Sequence, residues 1–293
     1  MFTRLTPPTP YMRGVPWMTN SWIAGLAAVF VWWFSTGILL WRVRYADNAG
    51  GGAHIWSVIL GLPLLFAGIA GLHLSLNTTS TPGTYAAFLS ALAIWGWIEL
   101  AFLSGAITGP NQRVCPANAA WNDRLTRAIG TIAYHEALLI LTLAVITYVA
   151  SGMPNSFAAL TFAVLFFARL SAKLNLFFGV PRINVEFLPR PLEHLASHFR
   201  LSQMNAFFPV AATALTIAAG YWLDRAASAP TEATKIGYVL LAALTLLALL
   251  EHWFMVLPLP DQKLWRWMMP AQKTKPAKAT PLLDSLKENS HGL

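Results

Sequence analysis

Apolar residues run along the chain in long blocks broken by short clusters of glycine, proline and charge, and the block length is the first signal. A helix needs about 20 apolar residues to cross a bilayer. Seven stretches meet that need: Trp22–Trp41, Ile55–Leu76, Tyr85–Thr108, Ala128–Ala150, Ser156–Phe178, Ala206–Leu223 and Ile236–Leu257. The breaks carry turn chemistry, in Gly50-Gly51-Gly52, Pro82-Gly83, Gly109-Pro110, Gly152 with Pro154, Pro181 and Pro230. The pattern predicts an all-α polytopic bundle of about seven transmembrane helices. Residues 1–270 form its single domain and residues 271–293 a flexible Lys-rich tail. The polar Met1–Asn20 stretch and the length of the first apolar run speak against a cleaved signal peptide.

Composition agrees. The chain is 56% hydrophobic and 11% charged, with a mean hydropathy of +0.52, whereas soluble domains carry roughly 25% charged residues. A single cysteine, Cys115, excludes a disulfide framework and a Cys-rich metal site. The net charge of +8 is a matter of membrane sidedness, not of nucleic acid, and no nucleic-acid partner is expected. The N-terminal segment and the loops after spans two, four and six hold only Arg4, Arg13, Arg225 and Lys235 of the 20 Lys and Arg. The positive-inside rule therefore puts the N-terminus in the periplasm and the C-terminus in the cytoplasm of a Gram-negative host. Trp41, Trp56, Trp222, Trp265 and Trp267 fall near the interfaces.

Ionisable residues inside a span are costly, so each one is a functional hypothesis. Span three carries Glu99, span four His135 and Glu136, and span seven Glu251 and His252. Counted at 1.5 Å per residue, all five lie roughly 10–14 Å below the cytoplasmic surface. Glutamate and histidine from several facing helices can hold two metal ions, as in di-iron carboxylate proteins. Here the pairs are adjacent rather than spaced as Glu-x-x-His, so the match is one of donor chemistry. After span five, Glu193-His194 and His198 add a His-x-x-x-His spacing, and Pro191 suits the first turn of a short helix, on which His194 and His198 would share a face. A haem or a chlorophyll magnesium is the other cofactor a histidine at membrane depth could ligate. The bland reading of the same residues is hydrogen-bonded packing between helices. His54, His73 and His291 are read as ordinary surface or span-end residues.

Arg169, Lys173 and Asn175 lie near the end of span five, with Arg169 and Lys173 four apart on one face. They could snorkel to headgroups, pair with a glutamate of the cluster, or bind an anionic substrate. Asn205 is a candidate cap for span six. Phosphate loop, nucleophile elbow and dinucleotide fingerprint are all missing from the sequence.

Several strings read together resemble a known family. They are Trp32-Trp33-Phe34-Ser35-Thr36-Gly37, Gly96-Trp97-Ile98-Glu99 running on to Thr108-Gly109-Pro110, and Tyr134-His135-Glu136. Further along come Arg169-Leu170-Ser171-Ala172-Lys173-Leu174-Asn175 with Gly179-Val180-Pro181, Glu186-Phe187-Leu188-Pro189, Met204-Asn205 with Phe208-Pro209, and Glu251-His252-Trp253-Phe254. In this order they resemble the PuhE family of photosynthetic complex assembly proteins, over nearly the whole chain apart from the tail. The resemblance implies a phototrophic bacterium, its inner or intracytoplasmic membrane, and a role in assembling reaction centre and light-harvesting complexes or in supplying bacteriochlorophyll. It implies as partners the lipid bilayer, bacteriochlorophyll or its precursors, and reaction centre or light-harvesting subunits. Two readings stay open. One is a non-enzymatic assembly factor. The other is a di-metal oxidoreductase, with two iron ions held by Glu99, His135, Glu136, Glu251, His252, His194 and His198, and with Arg169, Lys173 and Asn175 orienting a lipophilic tetrapyrrole substrate. A transporter is weaker, because the chain shows no inverted repeat.

Overall fold

A computed structural model describes residues 16–258. Arg4, Arg13, Trp265, Trp267, His291 and the Lys-rich tail lie outside that range. Seven α-helices follow in order: α1 Ser21–Ala49, α2 Ala53–Ser75, α3 Thr81–Leu103, α4 Trp121–Ala150, α5 Phe157–Phe178, α6 Phe207–Ala227 and α7 Glu232–Phe254. All seven are long and apolar enough to cross a membrane, one on each predicted stretch. The protein is therefore an all-helical membrane bundle.

Local chemistry sets the helix starts. Asn20 caps α1 by accepting from the backbone N–H of Trp22 and Ile23, at 2.9 and 3.3 Å. Ser80 caps α3, with Pro82 in its first turn, and Thr231 caps α7. Asn205 caps α6, its Oδ1 accepting from the N–H of Phe207 and Phe208. The turn between α1 and α2 needs positive φ at Gly50, Gly51 and Gly52, a conformation that side chains with a Cβ rarely adopt.

α3 and α7 form the middle of the bundle. Their apolar stretches are 56% and 50% buried, against 17% in α1 and α2. Ala87, Ala91, Ile94 and Ile98 of α3 pack against Leu139 and Ile146 of α4 and Phe162 and Phe166 of α5. Ala24 and Ala28 of α1 let Ile236 and Leu240 of α7 come close, as small residues do between membrane helices. Outward, α1, α2, α4 and α6 expose Leu26, Phe30, Leu60, Phe66, Leu141 and Ile217. A soluble protein would hide so continuous an apolar surface; in a bilayer it faces lipid.

Helix α1 runs on past its predicted stretch to Ala49 and α4 starts early at Trp121, and two further elements differ from the sequence expectation. Span three was expected to run to Thr108, but α3 stops at Leu103. Gly105 turns the chain at φ +75°, and the following residues run extended along α4. There the Thr108 carbonyl accepts from the His135 N–H at 3.0 Å, and Asn111 donates from its N–H to Gly130 O and from Nδ2 to Arg127 O, both at 3.0 Å. Gly109 is obligatory in this stretch, because a Cβ there would sit 2.1 Å from Gly130 O.

The short helix at Pro191 is a 3-10 helix, Arg190–His198, not an α-helix. Its buried residues are Leu192, Leu195 and His198, a repeat of three that matches the 3-10 period. Leu192 and Leu195 pack on Phe102. At three residues per turn, His194 and His198 stand about 120° apart and do not share a face. That corrects the expectation drawn from their spacing.

Candidate functional site

Near the end of the bundle where α3, α5 and α7 finish, four helices bring their ionisable residues together. Glu99 of α3 is buried, and its Oε2 accepts from Arg169 Nη2 of α5 at 3.1 Å. Its other oxygen, Oε1, lies 3.7 Å from His135 Nε2 of α4, too far for a hydrogen bond. Glu136, next to His135, forms a short ion pair with Lys173 of α5. Arg169 and Lys173 share a face of α5, as their spacing predicted. Each is committed to a different carboxylate, one on α3 and one on α4. This is the pairing option of the three that the sequence left open for them.

His135 is fully buried. The Phe102 ring, one turn beyond Glu99 on α3, stacks on its imidazole with centroids 4.2 Å apart and planes at 28°. Lys173 Nζ stands 5.5 Å from the centroid of that same Phe102 ring, within cation–π range. Neither His135 ring nitrogen has a hydrogen-bond partner, nor has Glu99 Oε1 or Arg169 Nε. These unpaired buried atoms mark the polar interior of the site, since such groups are normally satisfied.

On α7, His252 is saturated. Its Nε2 lies 2.7 Å from Ser171 Oγ of α5, and its Nδ1 lies 2.7 Å from the Ala248 carbonyl one turn back. Glu251, the residue before it, is exposed on the bundle surface. Asn175 is buried but points away from the ion pairs. Its Nδ2 donates to Ser171 O, and its Oδ1 accepts from Asn205 Nδ2. It thus ties α5 to the start of α6 and does not sit beside Arg169 and Lys173.

His194 and His198 stay apart from this cluster, on the 3-10 helix whose Leu192 and Leu195 pack on Phe102. Burial pushes both imidazoles below the ordinary histidine range. His198 Nδ1 is held by the His194 carbonyl at 3.2 Å, and both Nε2 atoms are buried without a partner. Arg124 lies beside His198 and donates to its carbonyl and to that of Phe177.

Tested against a di-iron centre, the donor set does not fit as arranged. Two of the three carboxylates are neutralised by cations, His252 has both nitrogens engaged, and Arg169 and Lys173 would repel a metal ion placed at Glu99 and His135. Among the described residues, no three His, Cys, Asp or Glu side chains are grouped to hold a metal. A haem or chlorin metal would have to reach His135 Nε2 in the plane of the imidazole, where Glu99 Oε1 already stands 3.7 Å away.

Sequence reasoning missed three participants. Ser171 orients His252, and its signal is the spacing that puts it one turn before Asn175. Phe102 shares a face with Glu99. The third is Asp47, buried near the end of α1, which binds Arg44 at 3.4 Å, His54 Nε2 at 3.1 Å and the backbone N–H of Arg190 at 3.1 Å. His54 therefore has a structural partner.

Fold and site together define a seven-span helical membrane protein with an ion-paired polar cluster inside the bundle. The chain belongs to the family described as "Protein of unknown function (DUF3623)", whose model matches residues 18–276. It is 56% identical over 254 residues, 87% of this chain and 93% of the relative, to the "Uncharacterized 30.4 kDa protein in puhA 5'region" of Rhodobacter capsulatus. No solved structure matches.

Proposed function

We propose that this protein is an integral membrane factor of anoxygenic photosynthesis that supports assembly of reaction centre and light-harvesting complexes or the supply of bacteriochlorophyll. Its place is the inner or intracytoplasmic membrane, with the N-terminus periplasmic and the C-terminus cytoplasmic. The description of the Rhodobacter capsulatus relative as lying in the puhA 5' region agrees with the resemblance of the sequence strings to the PuhE family. The observation that supports an assembly factor over a metal enzyme is the pairing of Glu99 with Arg169 and of Glu136 with Lys173. Charges spent on one another fix helices in register, whereas a metal centre needs those carboxylates free.

The test is complementation of a deletion strain, reading the absorption bands of the assembled complexes and the total bacteriochlorophyll. Restoration by the wild-type gene, with metal-free purified protein, supports the proposal. Normal complexes and pigment in the deletion strain reject it. A stoichiometric pair of irons, lost in Glu99→Ala or Glu251→Ala, replaces it with the di-iron oxidoreductase.

A further inference from the structure

Where the chain from Pro110 to Arg113 meets the first turns of α4, an open cleft of about 440 Å³ is lined by Pro110, Asn111, Gln112, Arg113 and Arg127. Asn111 builds it. Its N–H donates to Gly130 O and its Nδ2 to Arg127 O, both at 3.0 Å, while its Oδ1 accepts from the Arg113 N–H at 3.1 Å. Two arginines are thus held at one cleft by bonds to the backbone, with no acid between them. Arg127 Nε holds Asp123 Oδ2 at 2.8 Å. The Arg113 guanidinium makes neither an ion pair nor a hydrogen bond among the described residues. Two cations face one carboxylate, so one positive charge is uncompensated.

The cleft sits at a defined level. Arg127 is the last residue of α4 before the apolar stretch that begins at Ala128, and cations at that point of a span stand among headgroups. Further into α4, Gly130, Tyr134, Ala137 and Leu141 follow Arg127 at spacings of three, four, three and four. At 100° per residue the five fall within about 80° of arc, which is a single face. Tyr134 and Leu141 are 59% and 61% exposed, and Ala137 is exposed as well. The small residues Gly130 and Ala137 flank Tyr134 along that face. A cationic cleft at headgroup level therefore continues into an open apolar face at hydrocarbon level.

We infer that the cleft and this face of α4 bind one anionic phospholipid. Its phosphodiester sits between Arg113 and Arg127, and an acyl chain lies along Gly130, Tyr134, Ala137 and Leu141. The charge excess selects a net negative headgroup over a zwitterionic one, whose ammonium would meet the same two cations. The apolar continuation selects a lipid over a soluble phosphate. Basic pockets at the ends of transmembrane helices recognise headgroups by this chemistry.

The test uses the full chain, purified in mild detergent and stripped of lipid, with binding read by native mass spectrometry. Dioleoyl phosphatidylglycerol should bind about fivefold tighter than dioleoyl phosphatidylcholine. Arg113→Gln should erase that preference, Arg113→Lys should keep most of it, and Arg127→Gln should lower it. Because the Arg113 guanidinium holds nothing inside the protein, Arg113→Gln should unfold at the wild-type temperature without lipid. Added phosphatidylglycerol should then raise the unfolding temperature of the wild type more than that of the variant. Equal binding of the two lipids, or a preference unchanged in Arg113→Gln, overturns the site. Glycerol 3-phosphate binding as tightly as the lipid, at the same two arginines, overturns the lipid in favour of a soluble phosphate.

Discussion

Ser171 on α5 and His252 on α7 are joined by a 2.7 Å hydrogen bond between Oγ and Nε2, while His252 Nδ1 meets the Ala248 carbonyl. One serine therefore completes the hydrogen bonding of a buried imidazole and sets the level of α7 against α5. Ser171→Ala leaves Nε2 buried and unpaired, at a cost of about 1–3 kcal/mol. Thermal unfolding in mild detergent should show the loss, with Ser171→Thr retaining most of the stability.

The Lys173–Glu136 pair is the tie between α4 and α5 in the cluster. Removing one partner strands a largely buried charge, whereas removing both does not. Lys173→Met and Glu136→Gln should each destabilise the protein by about 3 kcal/mol, the low end for a buried pair. The double variant should recover most of the loss. A double-mutant cycle on unfolding free energies measures it, and additive losses would contradict the pairing.

Cys115 reports on the Arg190–His198 helix. Its backbone N–H donates to Ser197 Oγ at 2.9 Å, and the residue is buried. The same helix is tied to α1 by Asp47, which accepts from the Arg190 N–H. Asp47→Ala should loosen the helix and raise the rate of Cys115 alkylation several-fold. An unchanged rate would mean that the tie does not hold the segment.

Acid should act on the same segment. Burial holds His194 and His198 below their ordinary value of 6.5. In the folded state they stay neutral while the unfolded chain takes up protons, so stability is full above about pH 6.5 and falls as the pH drops below it. Cys115 alkylation should therefore speed up between pH 7 and pH 5, and His198→Gln should flatten that profile.

Much of this arrangement was legible in the sequence, and the missing parts have physical causes. Seven uninterrupted apolar runs leave few alternatives to seven spans, and turn residues at both ends place Glu99, His135 and His252 at one level. The end of α3 was not legible, because Ser104-Gly105-Ala106-Ile107 continues the apolar run while Gly105 turns on backbone geometry alone. The 3-10 helix was hidden for a similar reason, since a spacing of four between His194 and His198 reads as one face only when the helix is α. For Arg169 and Lys173, the sequence named ion pairing as one option among three. Which glutamate each would meet depends on how α3 and α4 sit around α5.

The extended stretch from Thr108 to Asn111 has a consequence for biogenesis. Three hydrogen bonds join it to the α4 backbone at Arg127, Gly130 and His135, so part of the apolar interior is walled by non-helical chain. Such chain cannot face lipid with its peptide groups unpaired. The seam lies wholly within the α3–α4 hairpin, so the pairing of these peptide groups draws on no later helix.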